Sequence, residues 1–192
     1  MTFAHAEHIL YLMEKRVELA HHGPQLWTRE LAAKIRTKVD GFLGEMKSGD
    51  VLVIDAKGVD VFDFSFANEL FGKIILSLAR GYPGVFLVVE SLTQYTRLNL
   101  EKALESIGLA LIYRKGRKLE LLGKVHTADH ETFAALLRAG KPVPASQLKD
   151  ELGLNQTAIN ERLSKLADLA IVRRETGTSA AGREQYLYSV PS

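Results

Sequence analysis

The chain contains no cysteine. That excludes a disulfide scaffold, a thiolate zinc site and a cysteine nucleophile, and it fits a reducing, cytoplasmic setting. Net charge is nearly absent as well: 25 Lys and Arg against 23 Asp and Glu leave a formal +2 over 192 residues. This balance argues against a nucleic-acid-coating protein and against an acidic disordered tail, while leaving room for a local basic surface. Long apolar runs are missing. The most apolar region, residues 70–89, is broken by Lys73, Arg80 and the turn Gly81-Tyr82-Pro83-Gly84, so it does not suit a membrane span. Glu7 and Glu14 interrupt the opening residues, and no basic residue precedes them, so no targeting segment is expected. Repeats, GxSxG, a P-loop and a dinucleotide fingerprint are all lacking. No nucleophile or acid–base pair stands out, and the expectation is a protein that is not an enzyme and needs no cofactor or metal.

Alternating patterns fill the first two thirds. Ile9, Leu10, Leu12, Val17 and Leu19 are compatible with two short strands or one helix, and His21-His22-Gly23-Pro24 breaks them. Thr28 is an N-cap candidate for a helix carrying Leu31, Ala32, Ile35, Val39, Phe42, Leu43 and Met46, with Gly49 after its end. Val51–Ile54 and Val85–Val89 are continuous apolar runs of the kind buried on both faces of a sheet. Between them Phe66, Leu70, Phe71, Ile74, Ile75 and Leu78 mark a helix ended by Gly81, and Leu98, Leu104 and Ile107 mark another closed by Gly108. Leu109–Tyr113 predicts a strand that pairs with Leu119–Leu122 across Arg114-Lys115-Gly116-Arg117-Lys118. Strands alternating with helices imply a parallel or mixed sheet covered by helices.

Composition changes after Val125. Phe133, Leu136 and Leu137 lie on one helix, Leu148 and Leu152 on a short second one ended by Gly153, and Ile159, Leu163, Leu166 and Leu169 on a third that Asn155 can cap. Ile171–Arg174 and Gln185–Val190 predict a terminal hairpin with a small-residue tip. Two domains are expected, residues 1–126 and 127–192.

The stretch from Pro144 to Glu175, with its Leu148, Leu152, Gly153, Leu154, Ile159, Leu163 and Leu166 framework, resembles the winged helix-turn-helix domains of bacterial transcriptional regulators. The resemblance implies double-stranded DNA as partner, with the third helix in the major groove. Its candidate contacts are Asn155, Gln156, Thr157, Asn160, Arg162, Ser164 and Lys165 on that helix, and Arg173, Arg174 and Arg183 on the wing. Residues 127–192 hold eight Lys and Arg and eight Asp and Glu, so any DNA contact depends on placement rather than bulk charge; a protein-binding wing is the alternative.

In the first part, the strand ending at Asp55, then Gly58-Val59, then Phe62-Asp63-Phe64-Ser65-Phe66-Ala67-Asn68-Glu69-Leu70 opening a helix, resembles STAS-like domains, relatives of anti-sigma-factor antagonists. In those antagonists a hydroxyl at the position of Ser65 is phosphorylated by a partner kinase. Phe64 stands where they carry another hydroxyl and Phe66 where they carry Gly. Ser65 and Asp63 are therefore candidates for a phosphosite or partner contact, or for simple helix capping.

Asp55, Asp60 and Asp63 at irregular spacing, and the pairs His5/His8 and His126/His130, are weak metal signals against ordinary turn, cap and surface roles. The Arg114–Lys118 turn is either a solvated hairpin tip or a contact for an acidic partner. The overall expectation is an α/β STAS-like sheet covered by helices plus a small C-terminal winged helix-turn-helix domain. The chain would be a cytoplasmic homodimeric transcriptional regulator that uses no membrane. The alternative is a partner-switching adaptor that binds a kinase or anti-sigma-like protein.

Overall fold

A computed structural model describes residues 13–179 and 181–191 of the chain. Ile9, Leu10, Leu12, His5 and His8 lie outside the described residues. Val17 falls on β1 (Glu14–Glu18), and Leu19 on the short 3-10 turn that follows. After β2 (Gln25–Leu26), α1 (Arg29–Leu43) begins where expected: the Thr28 hydroxyl accepts a hydrogen bond from the Leu31 N–H at 3.3 Å. It ends earlier than Gly49. Gly44 closes it, donating to the Asp40 carbonyl, and Gly49 belongs to the turn entering the next strand.

The strands β3 (Val51–Asp55), β5 (Phe86–Glu90), β6 (Ala110–Lys115) and β7 (Lys118–Gly123) join β1 in one sheet of order β1-β3-β5-β6-β7. All neighbours are parallel except the β6–β7 hairpin. A two-residue β4 (Val61–Phe62) pairs with β2. The helix predicted over 66–78 is observed as α2 (Phe64–Ala67), a π turn (Asn68–Gly72) and α3 (Lys73–Gly81) in unbroken succession. The last crossover is α4 (Gln94–Ser106). The protein is thus mixed α/β, with a mostly parallel central sheet flanked by helices.

Strand order dictates what covers that sheet. β1, β3, β5 and β6 are spatial neighbours in chain order, and parallel crossovers are right-handed. Each crossover helix must then fall on the same face. Leu52, Ile54, Leu87, Val89, Leu111 and Leu122 meet α1, α2–α3 and α4 in one buried cluster, with Phe62, Phe66 and Phe71 packed among them. Strand alternation sends Val51, Val53, Phe86, Val88, Ala110, Ile112 and Leu121 to the opposite face, where no crossover reaches.

The rest of the chain covers it. There follow α5 (Thr127–Ala139), β8 (Val143–Pro144), α6 (Ala145–Leu152), α7 (Gln156–Asp168), β9 (Arg173–Thr178) and β10 (Glu184–Ser189). Phe133 and Leu136 of α5, Leu148 of α6, and Ile159, Leu163 and Leu166 of α7 form one contiguous core with the second sheet face. The described residues on either side of residue 126 therefore share a hydrophobic core. Gly84 marks how close they come: at φ 81°, a Cβ there would collide with Ser48 Oγ and sit 3.2 Å from the Arg173 Cγ.

In the C-terminal part the strand order is β8-β10-β9, all antiparallel. Gly153 caps α6 in the left-handed conformation (φ 63°) and Asn155 caps α7 through its Oδ1. The strand expected from Ile171 starts two residues later. The Ile171 and Val172 N–H groups both donate to the Leu166 carbonyl, closing α7 instead of entering the sheet.

Candidate nucleic-acid interface

Helix α7 turns Ile159, Leu163 and Leu166 into the core, at 0–1% exposure. Asn155, Gln156, Thr157 and Asn160 on its first turns are left exposed. Asn155 Oδ1 accepts from the Ala158 N–H at 2.8 Å, so its side chain serves the cap. Gln156 Nε2 donates to Asn160 Oδ1 at 3.0 Å, one helical turn apart. That bond leaves the Gln156 carbonyl and the Asn160 NH2 for an outside partner. Both sit beside a shallow, open groove of about 240 Å³ whose other walls are Ser146 at the start of α6 and Gln185, Tyr186 and Tyr188 of β10.

The hairpin divides its arginines by alternation. Arg174 is exposed and stacks its guanidinium 4.8 Å from the ring centre of Tyr186, itself 53% exposed. Such a stack holds the cation in place while the residue stays exposed to solvent. Arg183 is exposed at the tip, where its backbone N–H donates to Ser179 Oγ at 3.0 Å. Arg173 points the other way. Its side chain is 14% exposed, paired with Glu175 on the same strand face.

Two of the candidate contacts on α7 turn toward α5. Arg162 donates to the Ala128 carbonyl at 3.4 Å and lies 3.6 Å from Glu131. Lys165 Nζ lies 2.5 Å from Asp129 Oδ2. Ser164 is half-buried. Helical angle pointed Ser164 and Lys165 outward, and Arg162 was a candidate for its charge; the packing of α7 across α5 brings Asp129 and Glu131 to the side of the two cations. The structure thus leaves Gln156, Asn160, Arg174 and Arg183 exposed and pairs Arg162, Lys165 and Arg173 with Glu131, Asp129 and Glu175 of the same chain. Ser146, Gln185 and Tyr186 were missed. The period-2 alternation of β10 was the only signal for Tyr186, and nothing in the sequence brought Ser146 to α7.

Asp129 is itself buried, at 3% exposure. Burial would raise its carboxyl pKa, but the Lys165 ammonium and the His126 N–H, at 2.9 Å, outweigh that and hold it below the usual carboxylate range. A carboxyl depressed on folding contributes stability above its unfolded value of about 3.9, and the contribution is lost as pH falls through the folded value. Asp129→Asn is expected to be less stable than the parent at pH 7, by about 1 kcal/mol for the weakened cap, and to show a flatter acid limb. Thermal melts from pH 7 to pH 2.5 check this; parallel curves for the two proteins would refute the assignment.

In the first part Asp63, not Ser65, caps α2, its Oδ1 accepting the Phe66 N–H at 2.6 Å. Ser65 is half-buried in the first turn, next to Phe64 at 44% exposure. Asp55 joins a lattice of ion pairs at one end of the sheet, with Arg16 bridging Asp55 at 3.0 Å and Glu90 at 2.6 Å, and Arg114 bonding Glu90 and Glu14. Arg114 is therefore engaged, whereas Lys115, Arg117 and Lys118 are a solvent-exposed tip. His126 and His130 lie at the N-cap and in the first turns of α5. Among the described residues, no group of three or more His, Cys, Asp or Glu is placed to hold a metal, and no helix is long and apolar enough to cross a membrane.

No protein-family model matches the chain, and no curated protein matches it. Among solved structures, one match is described as a possible transcriptional regulator from Methanosarcina mazei Go1. It is 17% identical, with 42% of this chain and 74% of that one covered and a TM-score of 0.32. Another is the Aeropyrum pernix ORC1 protein in complex with DNA, 9% identical, with 94% of this chain and 75% of that one covered, also at a TM-score of 0.32. Likeness at this level carries no structural argument.

Proposed function

We propose that the protein is a DNA-binding transcriptional regulator. Its α/β part, STAS-like in its strand–loop–helix pattern, receives a signal or a partner, and its C-terminal part acts on operator DNA as a winged helix-turn-helix. The order α5-β8-α6-α7-β9-β10 supports this reading. The observation that carries it is the gathering of Gln156, Asn160 and Tyr186 around the exposed α7 groove, with Arg174 stacked on the Tyr186 ring. A helix fits the major groove, where Gln and Asn can pair with an adenine edge. Arg174 and Arg183 then reach the phosphates on either side. With Arg162, Lys165 and Arg173 each paired to a carboxylate of the same chain, and Glu161 exposed on α7, the hairpin rather than the helix supplies the positive charge. A cytoplasmic homodimer matches the two-fold symmetry of palindromic operators. The function requires no cofactor and no catalysis.

Fluorescence anisotropy against genomic fragments, at several salt concentrations, tests the reading. Selective, salt-sensitive binding that depends on Asn160 is expected. Sequence-blind binding indifferent to Asn160 would sink it.

A second reading has one specific observation in its favour. Ser65 adjoins the exposed Phe64, and the β2–β4 pairing of Leu26 with Phe62 brings the 45%-exposed Trp27 to the same end of the strands. A partner-switching adaptor would use that surface for a kinase-like protein. Pull-down with and without ATP, followed by phosphopeptide mapping, decides between them; recovery of a kinase-like partner with modified Ser65 supports the adaptor.

A further inference from the structure

Arg173 leaves the candidate DNA face for a cavity, and that cavity has features of a ligand site. It measures about 350 Å³ and lies between Phe86 of β5, Gly49 in the turn before β3, the end of α5, and strands β9 and β10. This is the low end of the size range of small-molecule sites. Its walls are largely apolar: Phe86, Leu136, Leu137 and Val190 all contribute, with Pro142 and Pro191. Its charged groups are Arg173, Lys141 and Glu175, a net single positive charge.

The guanidinium is incompletely satisfied. Glu175 takes one of its terminal nitrogens, while Nε is buried without a hydrogen-bond partner among the described residues. Burial also pulls the Arg173 pKa below its ordinary value, yet a guanidinium stays charged at neutral pH. Gly84 allows the stem of Arg173 to lie against the turn that leads into β5, where a Cβ would crowd it. Lys141, at the mouth, is solvent-exposed and adds a second cation on a flexible stem.

We propose that this cavity binds a small amphipathic monocarboxylate, its carboxylate on Arg173 with Lys141 assisting, its apolar body against Phe86, Leu136 and Val190. A monoanion neutralises the net charge of the lining, and a planar carboxylate matches the guanidinium geometry. The apolar walls exclude a purely inorganic anion as the preferred occupant, since they gain nothing from one. Because β9 alternates, Arg173 in the cavity and Arg174 on the hairpin face are consecutive residues. The site stands independently of the DNA reading.

Thermal melts and isothermal titration of the full chain test it with hexanoate and benzoate, against hexanol, benzyl alcohol and inorganic phosphate. The two carboxylates are expected to raise the melting temperature saturably, by roughly 5–10 °C at a hundredfold excess over the dissociation constant; the alcohols and phosphate are expected to do little. Arg173→Gln is expected to weaken binding at least tenfold. Lys141→Ala, which leaves the core untouched, should weaken it a few-fold, and Leu137→Trp should block it by filling the space. Equal stabilisation by alcohols, equal stabilisation by phosphate, no shift with either carboxylate, or unchanged binding in Lys141→Ala and Leu137→Trp would each overturn the proposal.

Discussion

A chain ending at residue 126 is expected to lose its monomeric, cooperatively folded state. The three crossover helices all lie on one face of the sheet, and the other face presents Val51, Val53, Phe86, Val88, Ala110, Ile112 and Leu121, each 6% exposed or less in the full chain. Removing α5 to β10 uncovers them together. Burying one large aliphatic or aromatic side chain contributes about 1.5–3 kcal/mol, so the six larger residues represent on the order of 10 kcal/mol. That is comparable to the entire stability of a typical domain, about 5–15 kcal/mol. The exposed patch would also exceed the few hundred Å² that soluble monomers tolerate, so association or precipitation is expected. Light scattering with size-exclusion chromatography, and binding of a hydrophobic dye, provide the readout. A monomeric fragment that melts as cooperatively as the full chain would show that the sheet does not depend on its C-terminal cover. In the full chain, Phe86→Ala should cost about 3–5 kcal/mol, the usual range for a buried aromatic cut to a methyl.

The second large effect concerns how the arginines divide. Removing both Arg174 and Arg183 is expected to weaken DNA binding across all sequences. It should also reduce the slope of log affinity against log salt by about 2, roughly one unit for each phosphate no longer neutralised. Gln156→Ala or Asn160→Ala should act differently, costing about 1–3 kcal/mol of discrimination at one base pair while leaving the salt slope unchanged. Arg162→Ala and Arg173→Ala should lower the melting temperature and leave the slope alone, because their guanidinium groups are occupied at Glu131, Ala128 and Glu175. The contrast between Arg173 and Arg174 is the sharpest, since the residues are adjacent in sequence. Equal salt-slope losses from the two single variants would falsify the arrangement of the hairpin.

Much of the architecture could be read from residue patterns. The runs Val51–Ile54 and Val85–Val89 announced strands buried on both faces, and burial of alternate residues into two separate clusters bears that out. Thr28, Gly153 and Asn155 act at the helix ends they were expected to cap or close, because capping is a local event between neighbouring residues. Boundaries were harder: Gly44 rather than Gly49 ends α1, and the carbonyl of Leu166 holds Ile171 and Val172 out of β9. Of the candidate interface, helical angle correctly left Gln156 and Asn160 outward. It could not tell that Lys165 would meet Asp129, a partner 36 residues away.

By itself, then, the sequence determined the element types, the helix ends and the near-neutral charge, each a matter of local propensity, period or composition. The tertiary structure decided what those periods cannot encode. Consecutive parallel strands with right-handed crossovers placed every crossover helix on one face, leaving the opposite apolar face for the C-terminal part to bury. The same packing chose which cations stay outward. Arg174 faces solvent and Arg173 a cavity because β9 runs along the edge of that shared core, where its two sides meet different surroundings.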